Sequence, residues 1–157
     1  MPSIAGEAPK PRNLRVVVTS LPSDAHTWNL IFLQKYIEEC GHSVINLGSC
    51  VPAEELACAC IRYIPDLVVI SSVNGHGVDD GLRVITYLRA VPELSGIPIA
   101  IGGKLSTTGQ VSIEQMERLV AAGFDAVFGE ASLPGLRLLL NSGRYSRRAI
   151  RHLSRRT

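Results

Sequence analysis

The chain predicts an α/β fold, a flavodoxin-like (Rossmann-like) five-stranded parallel sheet in the order 2-1-3-4-5 with helices on both faces. Three observations predict it. Short apolar runs alternate with segments of helical periodicity five times within 157 residues. The connections between them are short. The third run, Leu67-Val68-Val69-Ile70, has no polar interruption, as expected of a central parallel strand covered on both sides. Right-handed crossovers and five strands then favour the 2-1-3-4-5 order, whose switch point falls between strands one and three.

In chain order, strand one is expected over Leu14–Ser20. A helix follows from about Thr27 to Cys40 and ends on Gly41, a suitable left-handed stop. Strand two is Ser43–Leu47, closed by Gly48. Pro52 suits the first turn of the second helix, where Glu54 and Glu55 favour its positive end, and the helix reaches about Ile64. Strand three is Asp66–Ser71, and helix three runs from Val78 to Ala90. Strand four is Ile97–Ile101, with Pro98 near its start and Gly102-Gly103 after its end. Helix four, Ser112–Ala122, has Ser112 and Glu114–Gln115 as capping candidates and stops at Gly123. Strand five is Asp125–Phe128, and helix five is about Leu133–Asn141.

Length and composition fit one globular domain: 46% hydrophobic and 19% charged residues exclude disorder and a membrane composition. No apolar stretch has the length of a transmembrane helix, and the first twelve residues do not read as a signal peptide, so a cytoplasmic address is expected. Cys40, Cys50, Cys58 and Cys60 contain no Cys-x-x-Cys pair and read as reduced, mostly buried small hydrophobes. Six arginines crowd the last fourteen residues; without them ten basic side chains face fourteen acidic ones, so the formal charge of +2 belongs to the tail. The expected organisation is a leader over 1–13, a domain over 14–141 and an Arg-rich tail over 142–157.

Three loops at the carboxyl edge of the sheet carry the unusual residues, and open α/β sheets bind ligands at that edge. The first, Ser23-Asp24-Ala25-His26-Thr27-Trp28-Asn29, sets a carboxylate two residues from an imidazole. Asp24 can accept the ring N–H of His26, fix its tautomer and make the other nitrogen a better ligand. By itself the pair can be a base, a metal ligand or an inert surface group, and an exposed pair with no task is the plainer reading. The second loop, Ser71-Ser72-Val73-Asn74-Gly75-His76-Gly77, lets a ligand approach the backbone. Its glycine spacing is one residue too long for a dinucleotide fingerprint. His76 could join Asp24 and His26 around zinc or iron, but no fourth ligand is evident. The third, Gly102-Gly103-Lys104-Leu105-Ser106-Thr107-Thr108-Gly109, has room for something flat and bulky, and does not have P-loop spacing.

Together these residues resemble the cobalamin-binding domain of adenosylcobalamin-dependent mutases and corrinoid methyltransfer proteins. That family carries Asp-x-His-x-x-Gly after strand one, Ser-x-Leu after strand three and Gly-Gly after strand four. Here the counterparts are Asp24-Ala25-His26, Ser71-Ser72-Val73 and Gly102-Gly103. Over Val44–Gly48, Ile70–Gly77 and Ala122–Phe128 the chain resembles most the small subunits of glutamate (methylaspartate) mutase. Asn29 stands where the family has glycine, and Val73 where it has leucine.

The resemblance implies that His26 is the axial ligand to cobalt and that Asp24 supports it. It implies a slot for the displaced nucleotide tail between strand one–helix one and strand three. Ser71, Val73 and Gly102-Gly103 would line the slot, with Ser23, Ala25, Thr27, Asn29, Ser72 and Gly75 near it. Lys104, Leu105, Ser106, Thr107 and Thr108 would border its far end. Trp28 reads either as a wall of that slot or as ordinary core. The implied cofactor is adenosylcobalamin. The implied reaction is a carbon-skeleton rearrangement, glutamate to 3-methylaspartate or a related acid, carried out with a larger barrel-type catalytic subunit.

Two other classes are weighed against this. A corrinoid carrier or cobalamin-responsive regulator would bind the cofactor without isomerase work, supported only by the Arg-rich tail. A receiver-like signalling domain would need a phosphorylatable Asp at the end of strand three, where Ser71 stands. Arg144, Arg147, Arg148, Arg151 and Arg155 would share one face of a helix, able to dock on an acidic partner; a solvated extension is the plainer reading, and nucleic acid is not the expected partner.

Overall fold

Alternation along each strand divides the interior into two cores. In β1 (Arg15–Ser20) Val16 and Val18 face one side and Val17 the other; in β3 (Leu67–Ser72) Leu67 and Val69 oppose Val68 and Ile70. The first core receives α1 (Trp28–Glu39) and α5 (Leu133–Asn141) through Leu30, Ile37, Leu136, Leu139 and Leu140. The second receives α2 (Ala53–Tyr63), α3 (Gly77–Ala90) and α4 (Ile113–Ala122), centred on Leu56, Ile85, Leu88, Leu119 and Phe124. With β2 (Ser43–Asn46), β4 (Ile99–Gly103) and β5 (Ala126–Phe128) the sheet runs β2-β1-β3-β4-β5, every pair parallel. This computed structural model describes residues 12–108, 110–130, 133–142 and 147–148.

Most boundaries fall within a residue or two of expectation, and two differences matter. Pro52 precedes α2 as its cap rather than occupying its first turn. The strand-four expectation is shifted: Pro98 lies before β4, and Gly102 and Gly103 are its last residues, paired with Ser71 and Ser72. The glycines therefore bring the β4 backbone against β3 instead of turning away from it. Ser112 and Gln115 form the expected reciprocal cap of α4.

The cysteines depart from expectation. Cys60 is buried and its thiol is pushed up to about 11, chiefly by desolvation, whereas Cys50 and Cys58 are exposed. Part of the tail is also corrected. Arg147 is not a solvated side chain: its guanidinium donates to Asp125 Oδ1 (3.0 Å), the Ser95 carbonyl (2.9 Å) and the Gly123 carbonyl (3.3 Å). Asp125 is 1% exposed and also bonds Arg89 and the Ile99 N–H, so this cluster ties Arg147 to the amino edge of the sheet. Residues 1–11 of the leader and 143–146, 149–157 of the tail lie outside the described residues. Among the described residues no helix is long and apolar enough to cross a membrane.

Candidate functional site

The β1–α1 loop is held from several directions at Asp24. Its N–H donates to the Leu21 carbonyl (2.9 Å), and its own carbonyl accepts from Ser20 Oγ (2.8 Å) and the Cys50 N–H (3.1 Å). Cys50 adopts a positive φ of 54°, a costly conformation for a side-chain-bearing residue, and its N–H donates to the Asp24 carbonyl and to Ser20 Oγ (3.2 Å). Before Asp24, Ser23 Oγ donates to Asp80, and Asn74 Nδ2 donates to the Ser23 carbonyl (3.2 Å).

The Asp24 carboxylate is fully buried and joins two loops. Oδ1 lies 2.8 Å from His26 Nδ1 and accepts from the His26 N–H (3.1 Å), while Oδ2 accepts from the Val73 N–H after β3 (2.7 Å). An ionised carboxylate only accepts, so Nδ1 carries the proton, and in the neutral imidazole Nε2 is the nitrogen with the lone pair. The His26 side chain is 61% exposed against 0% for Asp24, which leaves a preset imidazole facing outward. Burial raises the Asp24 carboxyl, but the bonds from the Val73 N–H, the His26 N–H and the His26 ring outweigh it and hold the group below its ordinary 3.8. Asp24 ionisation therefore stabilises the fold above that ordinary value, and the contribution is lost as pH falls through the lower folded-state value. Chemical denaturation should show the wild type losing stability more steeply than Asp24→Asn between about pH 5 and pH 2.

Beside this pair a cleft of about 190 Å3 opens between α1, α5 and the ends of β3, β4 and β5. Asn29, Ser71, Val73, Gly102 and Gly103 line it, five residues that sequence reasoning nominated. Val73 connects it directly to Asp24 through its N–H. A Cβ at position 102 would come within 3.1 Å of the Phe128 side chain, so glycine there keeps the cleft wall free. Asn29 Nδ2 donates to Ser71 Oγ (2.5 Å), and its Oδ1 is shielded without a hydrogen-bond partner among the described residues.

Other nominated residues lie elsewhere. Alternation sends Ser71 to the cleft and Ser72 to the opposite face, where its Oγ approaches Gly77 and Asn74. Gly75, Lys104, Leu105 and Thr107 form the contact between the second and third loops. The Gly75 N–H donates to the Lys104 carbonyl, Leu105 is buried against Gly77, and Thr107 abuts Gly75. Ser106 and Thr108 bond each other at 2.9 Å. Of Lys104–Thr108, Lys104, Leu105 and Thr107 meet the second loop and the start of α3, and none of the five lines the cleft, because β4 runs two residues further than expected before the chain turns. Ala25 and Thr27 are exposed beside His26. Trp28 is neither cleft wall nor core, at 82% exposed. Among the described residues no three His, Cys, Asp or Glu side chains converge on a metal position, so His76 does not join Asp24 and His26.

The apolar half of the cleft was missed from sequence: Phe32, Leu33, Phe128 and Leu136, with Glu130 at its rim. The signal was present, since the residues after strand five also reach the carboxyl edge and Leu133, Leu136 and Leu140 recur at helical spacing.

The B12 binding domain family matches residues 14–138. The chain belongs to that family. Among its relatives, the glutamate mutase sigma subunit of Halobacterium salinarum is 33% identical over 116 residues, covering 72% of this chain and 74% of the relative. That of Treponema denticola is 30% identical, covering 74% and 84%. The HTH-type transcriptional repressor CarH of Myxococcus xanthus is also 30% identical, but the match covers only 38% of its length. Among solved structures, a cobalamin-binding protein from Desulfitobacterium hafniense superposes with a TM-score of 0.65 at 20% identity, covering 81% of this chain and 58% of that one. The chemotaxis protein CheY4 of Vibrio cholerae gives 0.60 at 13% identity, a likeness of fold alone.

Proposed function

We propose that residues 14–141 are the cobalamin-binding domain of an adenosylcobalamin-dependent carbon-skeleton mutase component, acting on glutamate or a related acid with a larger barrel-type catalytic subunit. The observation that carries this is the buried Asp24 bonded to an outward-facing His26, coupled through Val73 to an apolar cleft. His26 Nε2 would take the axial position on cobalt, with Asp24 holding the ring orientation and strengthening the ligand. The cleft, of apolar walls with Ser71 and Asn29 at one side, suits a flat heteroaromatic tail displaced from the metal. When bound, the cofactor would supply the radical chemistry of rearrangement, and this chain would hold it in place through His26 and the cleft. The 1–13 leader and the 142–157 tail stand outside that role, the expected address is cytoplasmic, and nucleic acid is not a proposed partner.

A corrinoid carrier or cobalamin-responsive regulator is the second reading, favoured by the match to the repressor relative. Isomerisation assayed with a genomically neighbouring catalytic chain separates the two: turnover supports the mutase reading, and cofactor binding without turnover in any such pairing supports the second.

Asn29 gives a quantitative check. Its carboxamide occupies Ser71 and leaves a shielded oxygen unpaired among the described residues, which costs the free protein about 1–3 kcal/mol. Asn29→Gly should widen the slot and release Ser71, tightening cobalamin binding about tenfold in an absorbance titration. The cost to α1 should be no more than about 1 kcal/mol.

A further inference from the structure

Trp28 is the only tryptophan in the chain and the most exposed large apolar side chain among the described residues. It opens α1, and one turn later Ile31 and Phe32 are also exposed, at spacings that place the three on one face. One such side chain needs no explanation, but a patch of three on successive turns indicates a surface that something covers.

Two observations indicate what covers it. Trp28 is two residues from His26, so their Cα atoms lie within about 7 Å. A corrin ring with its amide arms, centred on a metal at His26, reaches about as far. Phe32, on the same face, also lines the cleft together with Asn29 and Leu33. The patch thus leads from the proposed metal ligand to the proposed tail slot, the path a bound cobamide must span.

We propose that Trp28 is a cofactor-contact residue, its indole covered by the corrin ring and Phe32 continuing that contact to the cleft. The inference rests on the cobalamin reading above. Trp28 would add affinity by apolar and stacking contact, with no part in metal ligation.

Titration with hydroxocobalamin and with cobinamide, which lacks the nucleotide tail, tests it on the full chain. Trp28→Ala should weaken both about tenfold while the saturated complex keeps the absorbance of a histidine-ligated corrinoid; Trp28→Phe should recover most of the loss. An equal loss with cobinamide assigns the contact to the ring. Unchanged affinity for both corrinoids would overturn the proposal, and so would a loss confined to hydroxocobalamin. Unchanged corrinoid affinity together with a lost complex with the catalytic chain would likewise overturn it, giving the patch to that partner. Circular dichroism should show Trp28→Ala folded, as its exposure predicts. Absence of a histidine-ligated spectrum in the wild type would instead remove the cobalamin reading itself.

Discussion

His26→Ala is expected to abolish the absorbance of histidine-ligated, base-off cobalamin and to weaken cobalamin binding by at least about a hundredfold. The lower bound follows because disturbing only a partner of a metal ligand costs 10–100-fold, and here the ligand itself is removed. Stability should fall only by the net worth of the single ring bond to the buried Asp24 carboxylate, about 1 kcal/mol, because the ring itself is mostly solvent-exposed and the two backbone N–H bonds to Asp24 remain. Asp24→Ala should behave differently. It strips three bonds from a buried position and leaves the Val73 and His26 N–H groups unpaired, so it should lower both stability and affinity. A titration in which His26→Ala retained the wild-type spectrum would remove His26 from the cobalt.

Gly103→Ala is expected to lower stability by about 3 kcal/mol or more. Gly103 has φ of +109°, where an L side chain is strained, and an added Cβ would collide with the Ser72 carbonyl oxygen. Both the collision and the backbone belong to the β3–β4 ladder, so relief requires shifting a central strand pair. For a chain of this length the loss corresponds to a midpoint lower by about 10 °C in a thermal melt. Cobalamin affinity should fall with it, because Gly103 also lines the cleft. Gly96→Ala is the matched control: its Cβ would meet nothing within 4 Å, and it should change stability by less than about 0.5 kcal/mol.

The fold was legible because local patterns and chirality leave few choices. Alternating apolar runs and helical segments, Gly41 and Gly123 as stops, and the Ser112–Gln115 cap each specify a local conformation. Right-handed crossovers and a five-strand sheet then favour the strand order that is observed. The Asp24–His26 pair was legible for a similar reason, since two residues of separation in a tight loop keep carboxylate and ring within reach. The Arg147–Asp125 anchor was not legible, because twenty-two residues separate partners that meet only when Arg147 packs against the sheet.

The sequence by itself determined the five β–α units, their parallel order, the edge of the sheet that carries the site, and an aspartate beside a histidine on that edge. These follow from periodicity, turn residues and handedness, which act over a few residues at a time. Only the tertiary structure decided that the Asp24 carboxylate is buried, that its second oxygen bridges to Val73, and that α5 closes one wall of the cleft with Leu133 and Leu136. It also divided the nominated loops, sending Ser71 to the cleft and Ser72 and Leu105 to the opposite face, and left Trp28 in solvent. Each of these depends on the register of β3 against β4 and on how helices far apart in the chain pack over the sheet. A shift of one residue in that register reverses which side chains face the cleft.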